Sequence, residues 1–175
     1  PNDITATFKL SDTTNFEFNG GNKTCTIQGQ ITQKDSSLTL ASTSLKLVYN
    51  LSASTTFTYD GDGTVSATSG TETVATVALN GNTITVTSHK AGNAEITVTA
   101  SAGTNYKSAT ATLHVTVDKS IIQVTSLGET ATKVYDGTTT ATLTQGTHYL
   151  LSSTNGGAVP QSINYTANYA GSAVG

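Results

Sequence analysis

Two carboxylates lie two residues apart on a glycine-rich stretch, Asp60-Gly61-Asp62-Gly63-Thr64. Hard oxygen donors placed so closely are what a calcium ion takes. The stretch stops short of a calcium loop, because no third ligand and no later bidentate Glu follow at the distances such a loop needs. It reads as a turn. His89, His114 and His148 stand far apart, and none has a Cys, His or Glu at metal-ligand spacing, so they read as surface or loop histidines. Serines are abundant, yet no Gly-x-Ser-x-Gly elbow occurs and no His and Asp can be assigned to any of them as a triad. The expectation is a chain that is not an enzyme, with no catalytic, cofactor-binding or metal residue and no cofactor.

Other side chains allow narrower chemistry. A Lys–Asn isopeptide bond needs a lysine on an inward strand face beside an acidic residue in an apolar core. Lys9 and Lys46 alternate with apolar neighbours and face away from them, whereas Lys133 shares a face with Tyr135 and is the one lysine left open for that role. Cys25 alternates with Ile27 and Ile31, which predicts a small buried hydrophobe and not a reactive thiol. Phe16, Phe18, Phe57, Tyr59, Tyr106, Tyr135, Tyr149, Tyr165 and Tyr169 could line a sugar platform, but their positions at strand ends read better as core plugs and corner residues. Asn22, Asn50 and Asn164 occupy Asn-x-Ser/Thr sequons, which matter only in a host that glycosylates them.

The elements that must carry these residues are strands. Ser and Thr make up roughly a third of the 175 residues, with Thr the commoner, and a β-branched residue fits a pleated, half-buried surface. Gly occurs 16 times, mostly in clusters such as Gly20-Gly21 and Gly156-Gly157 that mark turns. Only 11% of residues are charged, the net charge is -3, and all 8 basic residues are lysines spread singly along the chain. A nucleic-acid partner is therefore not expected, since phosphate binding uses clustered basic residues, commonly Arg-rich. The single cysteine excludes an internal disulfide. No apolar run approaches the ~20 residues of a membrane-spanning helix, and no signal peptide or sorting motif is recognisable, so no membrane insertion is expected of this segment.

Alternation of apolar residues with Thr, Ser and Asn runs from Thr55 to Val117. In Val74 to Thr87 the inward set is Ala75, Val77 and Leu79, then Ile84 and Val86, joined by a hairpin at Asn80-Gly81 for which a type I′ turn is predicted. Ala94, Ile96, Val98 and Ala100 continue the inward set, followed by Leu113, Val115 and Val117. Six or seven short strands without a helical period predict a small antiparallel sandwich. An aromatic followed by Asn or Asp and Gly recurs at Phe18-Asn19-Gly20, Tyr59-Asp60-Gly61 and Tyr135-Asp136-Gly137, the mark of modules in series. The fold class expected is all-β, tandem immunoglobulin-like antiparallel β-sandwich modules. The divisions are 1–53, a diverged N-terminal β module; 54–118, the regular sandwich; and 119–175, a third module that lacks a closing strand after Ala173. The short connector Val117-Asp118-Lys119-Ser120 implies a semi-rigid rod, and the chain is expected to be a monomer.

The run Ser69 to Val117, with Asn80-Gly81-Asn82-Thr83-Ile84-Thr85-Val86-Thr87 and Lys90-Ala91-Gly92-Asn93-Ala94-Glu95-Ile96-Thr97-Val98-Thr99, closely resembles the group 2 bacterial immunoglobulin-like domains of surface adhesins, invasin-type proteins and some phage tail proteins. Lys133-Val134-Tyr135-Asp136-Gly137-Thr138-Thr139-Thr140-Ala141 resembles the YDG-type repeat of large secreted bacterial proteins. These resemblances imply an extracellular spacer or adhesive stalk, at the cell wall or secreted, with no shared catalytic residues. The partner implied is a host or cell-surface glycan or protein without further identity. The alternatives are a carbohydrate-binding module of a secreted protein and an immunoglobulin-like decoration domain of a phage virion. Fold-level likeness names no ligand.

Overall fold

The computed structural model describes residues 2–21, 23–134 and 136–170, and these form strands, one short 3-10 turn at Asn19–Gly21 and no α-helix. The chain opens with a two-stranded ribbon. β1 (Asn2–Thr7) pairs antiparallel with β2 (Thr24–Gly29), setting Ile4 opposite Ile27 and Ala6 opposite Cys25. Neither face of this ribbon is covered among the described residues. Ile4 and Ile27 are each more than half exposed, and the burial predicted for Cys25 does not occur: its side chain is exposed. Alternation gives a strand two distinct faces, but a face is buried only where a second layer lies on it.

The second layer exists in the middle of the chain. β3 (Leu38–Leu40), β4 (Ser44–Val48), β5 (Ser52–Tyr59), β6 (Val65–Ser69), β7 (Ala75–Asn80), β8 (Thr83–Ser88), β9 (Gly92–Ala100) and β10 (Ala109–Asp118) form two four-stranded sheets, ordered β3-β5-β8-β7 and β4-β10-β9-β6. All neighbours are antiparallel except β4 and β10, which run parallel with Leu45 opposite Val115 and Leu47 opposite Val117. The chain leaves one sheet after Leu40 and joins the other at Ser44. Ser42 makes the crossing, its hydroxyl donating to the Ser44 carbonyl (2.6 Å) and accepting from the Ser44 amide (3.3 Å). This is the immunoglobulin-like sandwich, with A, B, E and D strands on one sheet and a split A strand, G, F and C on the other.

The division expected between residues 53 and 54 is corrected by this topology. That point lies inside β5, and β3 and β4 belong to the same two sheets, so the sandwich begins at Leu38. Nothing local announces it, because the partner of β4 lies some seventy residues away and a parallel pair needs no tight turn.

The predicted inward sets otherwise hold. Ile84 and Val86 from one sheet meet Ile96, Val98, Leu113 and Val115 from the other, all six at most 1% exposed. Leu40, Leu47, Phe57, Val74, Ala75 and Val117 complete the layer. Val77 and Leu79 are only half-buried because β7 is a sheet edge. The predicted hairpin also forms, but its two-residue loop is Gly81-Asn82, since Asn80 still pairs with Thr83. Gly81 has φ +55° and Asn82 is not among the positive-φ residues, so the positive φ falls on the first central residue, as in a type II′ turn rather than type I′.

The strand directions sort the connections to two ends. The incoming segment before Leu38, the 60–64 loop and the 101–108 loop lie at one end; the 49–51 turn, the 70–74 segment, the 89–91 turn and the exit after Asp118 lie at the other. The exit end is pinned by a buried hydroxyl. Ser88 is fully buried; its Oγ accepts from the Leu51 amide (3.0 Å) and lies 2.9 Å from the carbonyls of both Val48 and Leu51, to which it can donate. These contacts hold the tight turn in which Asn50 takes φ +65°, a conformation Asn tolerates better than most residues.

Beyond the exit, β11 (Ile122–Ser126) pairs antiparallel with β12 (Tyr149–Ser153), and isolated bridges join Thr140 to Asn168 and Gln145 to Tyr149. The expected third module is thus a ribbon with long connections among the described residues. Tyr135 and residues 171–175, on which the aromatic repeat and the missing closing strand turn, lie outside them.

Ser88→Ala removes the hydroxyl's contacts to the 48–51 turn while the Leu51 amide and the Val48 and Leu51 carbonyls keep their backbone hydrogen bonds. It is expected to lower unfolding stability by about 0.5–1.5 kcal/mol, read as a shift of the urea midpoint at unchanged slope; an unshifted midpoint would show that the hydroxyl holds nothing.

Candidate functional surfaces

The carboxylates of Asp60 and Asp62 are structural acceptors. Asp62 accepts from the Asn105 amide (2.8 Å) and side chain (3.0 Å) and from the Tyr106 amide (3.3 Å), while Asp60 accepts from the Ser37 amide (2.6 Å). Hydrogen bonds from Asn105, its backbone first, hold the Asp62 carboxyl below its usual 3.8. A Cβ on Gly103 would collide with this carboxylate, and one on Gly63 would collide with the Ser101 carbonyl. The glycines therefore serve close packing of two loops. No group of three His, Cys, Asp or Glu side chains that could hold a metal occurs among the described residues.

The incoming segment is fastened to the same loops. Lys34 donates its amide to the Asn105 carbonyl (2.9 Å), Lys107 donates its amide to the Lys34 carbonyl (2.9 Å), and the Gln33 side chain donates to the Gly103 carbonyl (2.7 Å). The Lys34 ammonium sits 5.3 Å from the centre of the Tyr106 ring, and Lys107 pairs with Asp35 at 2.8 Å. This segment, placed by the sequence reading in the 1–53 module, is part of the sandwich end. The signal for it, Asn105-Tyr106-Lys107 facing Lys34-Asp35, needs the tertiary pairing to be seen.

At the opposite end, the chain passes into the third segment through polar ties. Asn155 donates to the Lys119 carbonyl (2.9 Å) and accepts from the Ile121 amide (2.9 Å), and the Ala158 amide donates to the Tyr49 carbonyl (3.3 Å). Between these ties lies an open groove of about 410 Å³ bordered by Tyr49, His89, Lys90, Lys119, Ile122 and Pro160 among others. It combines residues of the 49–51 turn, the 89–91 turn, the 119–122 segment and the loop after β12.

The remaining candidates are dispersed. His89 Nε2 lies 2.8 Å from the Thr76 hydroxyl, His114 is 3.4 Å from Glu95, and His148 Nδ1 accepts from the Thr144 amide (2.7 Å). Lys133 does not face an apolar core. Its ammonium contacts Asp136 (2.6 Å), the Thr138 hydroxyl (2.7 Å) and the carbonyls of Thr138 and Thr140, bracing the 136–140 loop, and the ion pair and hydrogen bonds hold the Asp136 carboxyl down at about 2. Lys46 pairs with Asp118 (3.0 Å), and Lys9 is exposed. The aromatics divide: Phe57 is buried, Tyr149 is buried edge-on against Tyr165, and Phe16 is exposed. Tyr165 ties both polar backbone atoms of Leu143, and Tyr169 donates to the Ala131 carbonyl. Of the sequons, Asn50 and Asn164 are exposed and Asn22 lies outside the described residues.

Residues 31–111 match the family model of the bacterial Ig-like domain (group 2). The matched span begins just before the fastened incoming segment and ends within β10. No curated protein matches the chain. Among solved structures, the chain is similar to domains 4 and 5 of the S-layer protein SbsC, at 21% identity over 57% of this chain and 61% of that one, with a TM-score of 0.41. It is also similar to SbsC domains 1–6, at 15% identity over 87% of this chain and 28% of that one, with a TM-score of 0.43. The chain spans under two thirds of the first and under a third of the second. No described helix is long and apolar enough to cross a membrane.

Because the folded-state carboxyl of Asp62 titrates below 3.8, its contribution to stability is present above that pH and lost as pH falls through the depressed value. Asp62→Ala is expected to lower the melting temperature at neutral pH, with the gap to the parent narrowing below pH 3.8; an equal gap at every pH would mean that the carboxylate charge plays no part.

Proposed function

We propose that the chain is a segment of a surface-associated or secreted bacterial protein in which the sandwich serves as a non-enzymatic structural spacer within an adhesive stalk. One observation carries the reading: the chain enters the sandwich at one end, beside the 60–64 and 101–108 loops, and leaves at the other, beside the 49–51 turn. A module threaded this way extends the chain along its own axis, and modules joined so build length. The bacterial Ig-like match over 31–111 supports the same reading. Both connectors are tied by hydrogen bonds rather than left free, which favours a fixed spacing over a flexible tether.

The same threading sets how tension would be borne. Pulling the termini apart slides β4 and β10 past each other along their parallel axes, because β10 is drawn toward the exit and β4 toward the incoming end. The Thr43 carbonyl with the His114 amide and the Asp118 carbonyl with the Tyr49 amide, both 2.9 Å, mark the two limits of that ladder. Bonds loaded in shear must break together.

Stretching single molecules of the whole chain from its ends tests this. A single abrupt release of roughly 250 Å is expected as the sandwich opens, from about 3.3–3.6 Å per extended residue over its length less the folded span. A smooth extension without such a step would contradict a load-bearing spacer.

A further inference from the structure

Lysine is the chain's only basic side chain besides histidine, and the 8 lysines divide by what they touch. Lys46, Lys107 and Lys133 pair with carboxylates, and Lys34 lies over the Tyr106 ring. Lys9, Lys23, Lys90 and Lys119 have no side-chain partner among the described residues. These four are not scattered. Lys90 and Lys119 border the groove at the sandwich exit, and Lys9 and Lys23 border a second groove with Phe16 and Phe18. The second groove also holds Glu17, whereas no acidic residue among the described residues borders the first. In a chain of net charge -3, a groove that gathers two unpaired ammonium groups and no carboxylate is electrostatically unlike the rest of the surface.

The walls narrow the choice of occupant. Tyr49 is 40% exposed on a turn that the Ser88 hydroxyl ties by hydrogen bonds, and Ile122 and Pro160 add apolar surface to the groove. An apolar floor with a few convergent polar groups, at about 410 Å³, is the make-up of a small-molecule subsite. A bare inorganic anion would use the ammonium groups and leave the tyrosine idle. A sugar ring bearing a carboxylate uses both, its apolar face against Tyr49 and its charge between the lysines. The rigid turns also favour a rigid ring over an acidic peptide, which loses more conformational freedom on binding.

We infer that the groove formed by Tyr49, Lys90, Lys119 and the loop after β12 binds an acidic saccharide of the uronic-acid type. The inference stands apart from the spacer reading, since a sandwich that binds nothing would still hold its neighbours apart. Oligogalacturonate serves as the probe, added to the whole chain while amide and tyrosine resonances are followed, with the neutral galactose oligomer and polyglutamate alongside. Saturable shifts are expected at Tyr49, Lys90 and Lys119, weakening as salt is raised, with none from the neutral oligomer and weaker binding of polyglutamate. The double substitution Lys90→Gln with Lys119→Gln is expected to weaken oligogalacturonate binding by about tenfold or more, and Tyr49→Ala to weaken it as well. Because neither lysine side chain has a partner among the described residues, the double variant should melt like the parent, so lost binding would not reflect lost fold. The inference is overturned if oligogalacturonate gives no saturable shifts in the groove, if the double variant binds it unchanged, or if polyglutamate binds as tightly, which would make the groove a general anion or acidic-peptide site.

Discussion

The structure depends on one apolar layer, the contact of Ile84 and Val86 with Ile96, Val98, Leu113 and Val115 across two sheets. No disulfide is available and the aromatic content is 6%, so little else can offset the conformational entropy of ordering the chain. Burying side chains of this size contributes on the order of 1.5–3 kcal/mol each. The layer also fixes register, since a slip of one residue in β9 would turn Ile96 and Val98 outward and Glu95 and Thr97 inward. Where the layer is absent, as along β1 and β2, the same kind of alternating sequence leaves its isoleucines in water.

The contrast between those two regions explains what the amino-acid sequence makes legible. Alternation with period two identifies β8, β9 and β10 and the correct inward faces, because both the local geometry and the layer above agree. For Cys25 the local pattern is as clear, but burial depends on a partner that the pattern does not mention. The placement of β3 and β4 in the sandwich is hidden for a related reason. Leu45 and Leu47 find Val115 and Val117 through a parallel pairing, and no turn residue records it. The surfaces are less legible still. Asp62 can be read from its neighbours as a turn residue, yet the Asn105 and Tyr106 amides that it accepts come from the far side of the sandwich sequence. The exit groove is assembled from four separate segments, and its two lysines stand out only once Lys34, Lys46, Lys107 and Lys133 are seen to have partners.

The two ends of the sandwich follow one logic. At each end one polar side chain holds the rim loops together and another ties the connector: Asp62 and Gln33 where the chain enters, Ser88 and Asn155 where it leaves. These ties give direction to the module, and a module with direction can be joined in series. The outer faces, by contrast, carry Ser and Thr pairs such as Ser52 with Thr87 and Ser54 with Thr85, whose hydroxyls satisfy one another without charge.

We propose that Leu38 to Asp118 is one cooperative unit, begun by β3 and β4 and closed by β10, with the N-terminal ribbon outside it. Amide hydrogen exchange on the whole chain tests this directly. The slowest amides should include those of β8, β9 and β10 together with His114 and Tyr49, the donors that bound the β4–β10 ladder, while β1 and β2 exchange quickly as an uncovered two-stranded ribbon does. Fast exchange at His114 and Tyr49, or protection of β1 and β2 equal to that of β9, would contradict it.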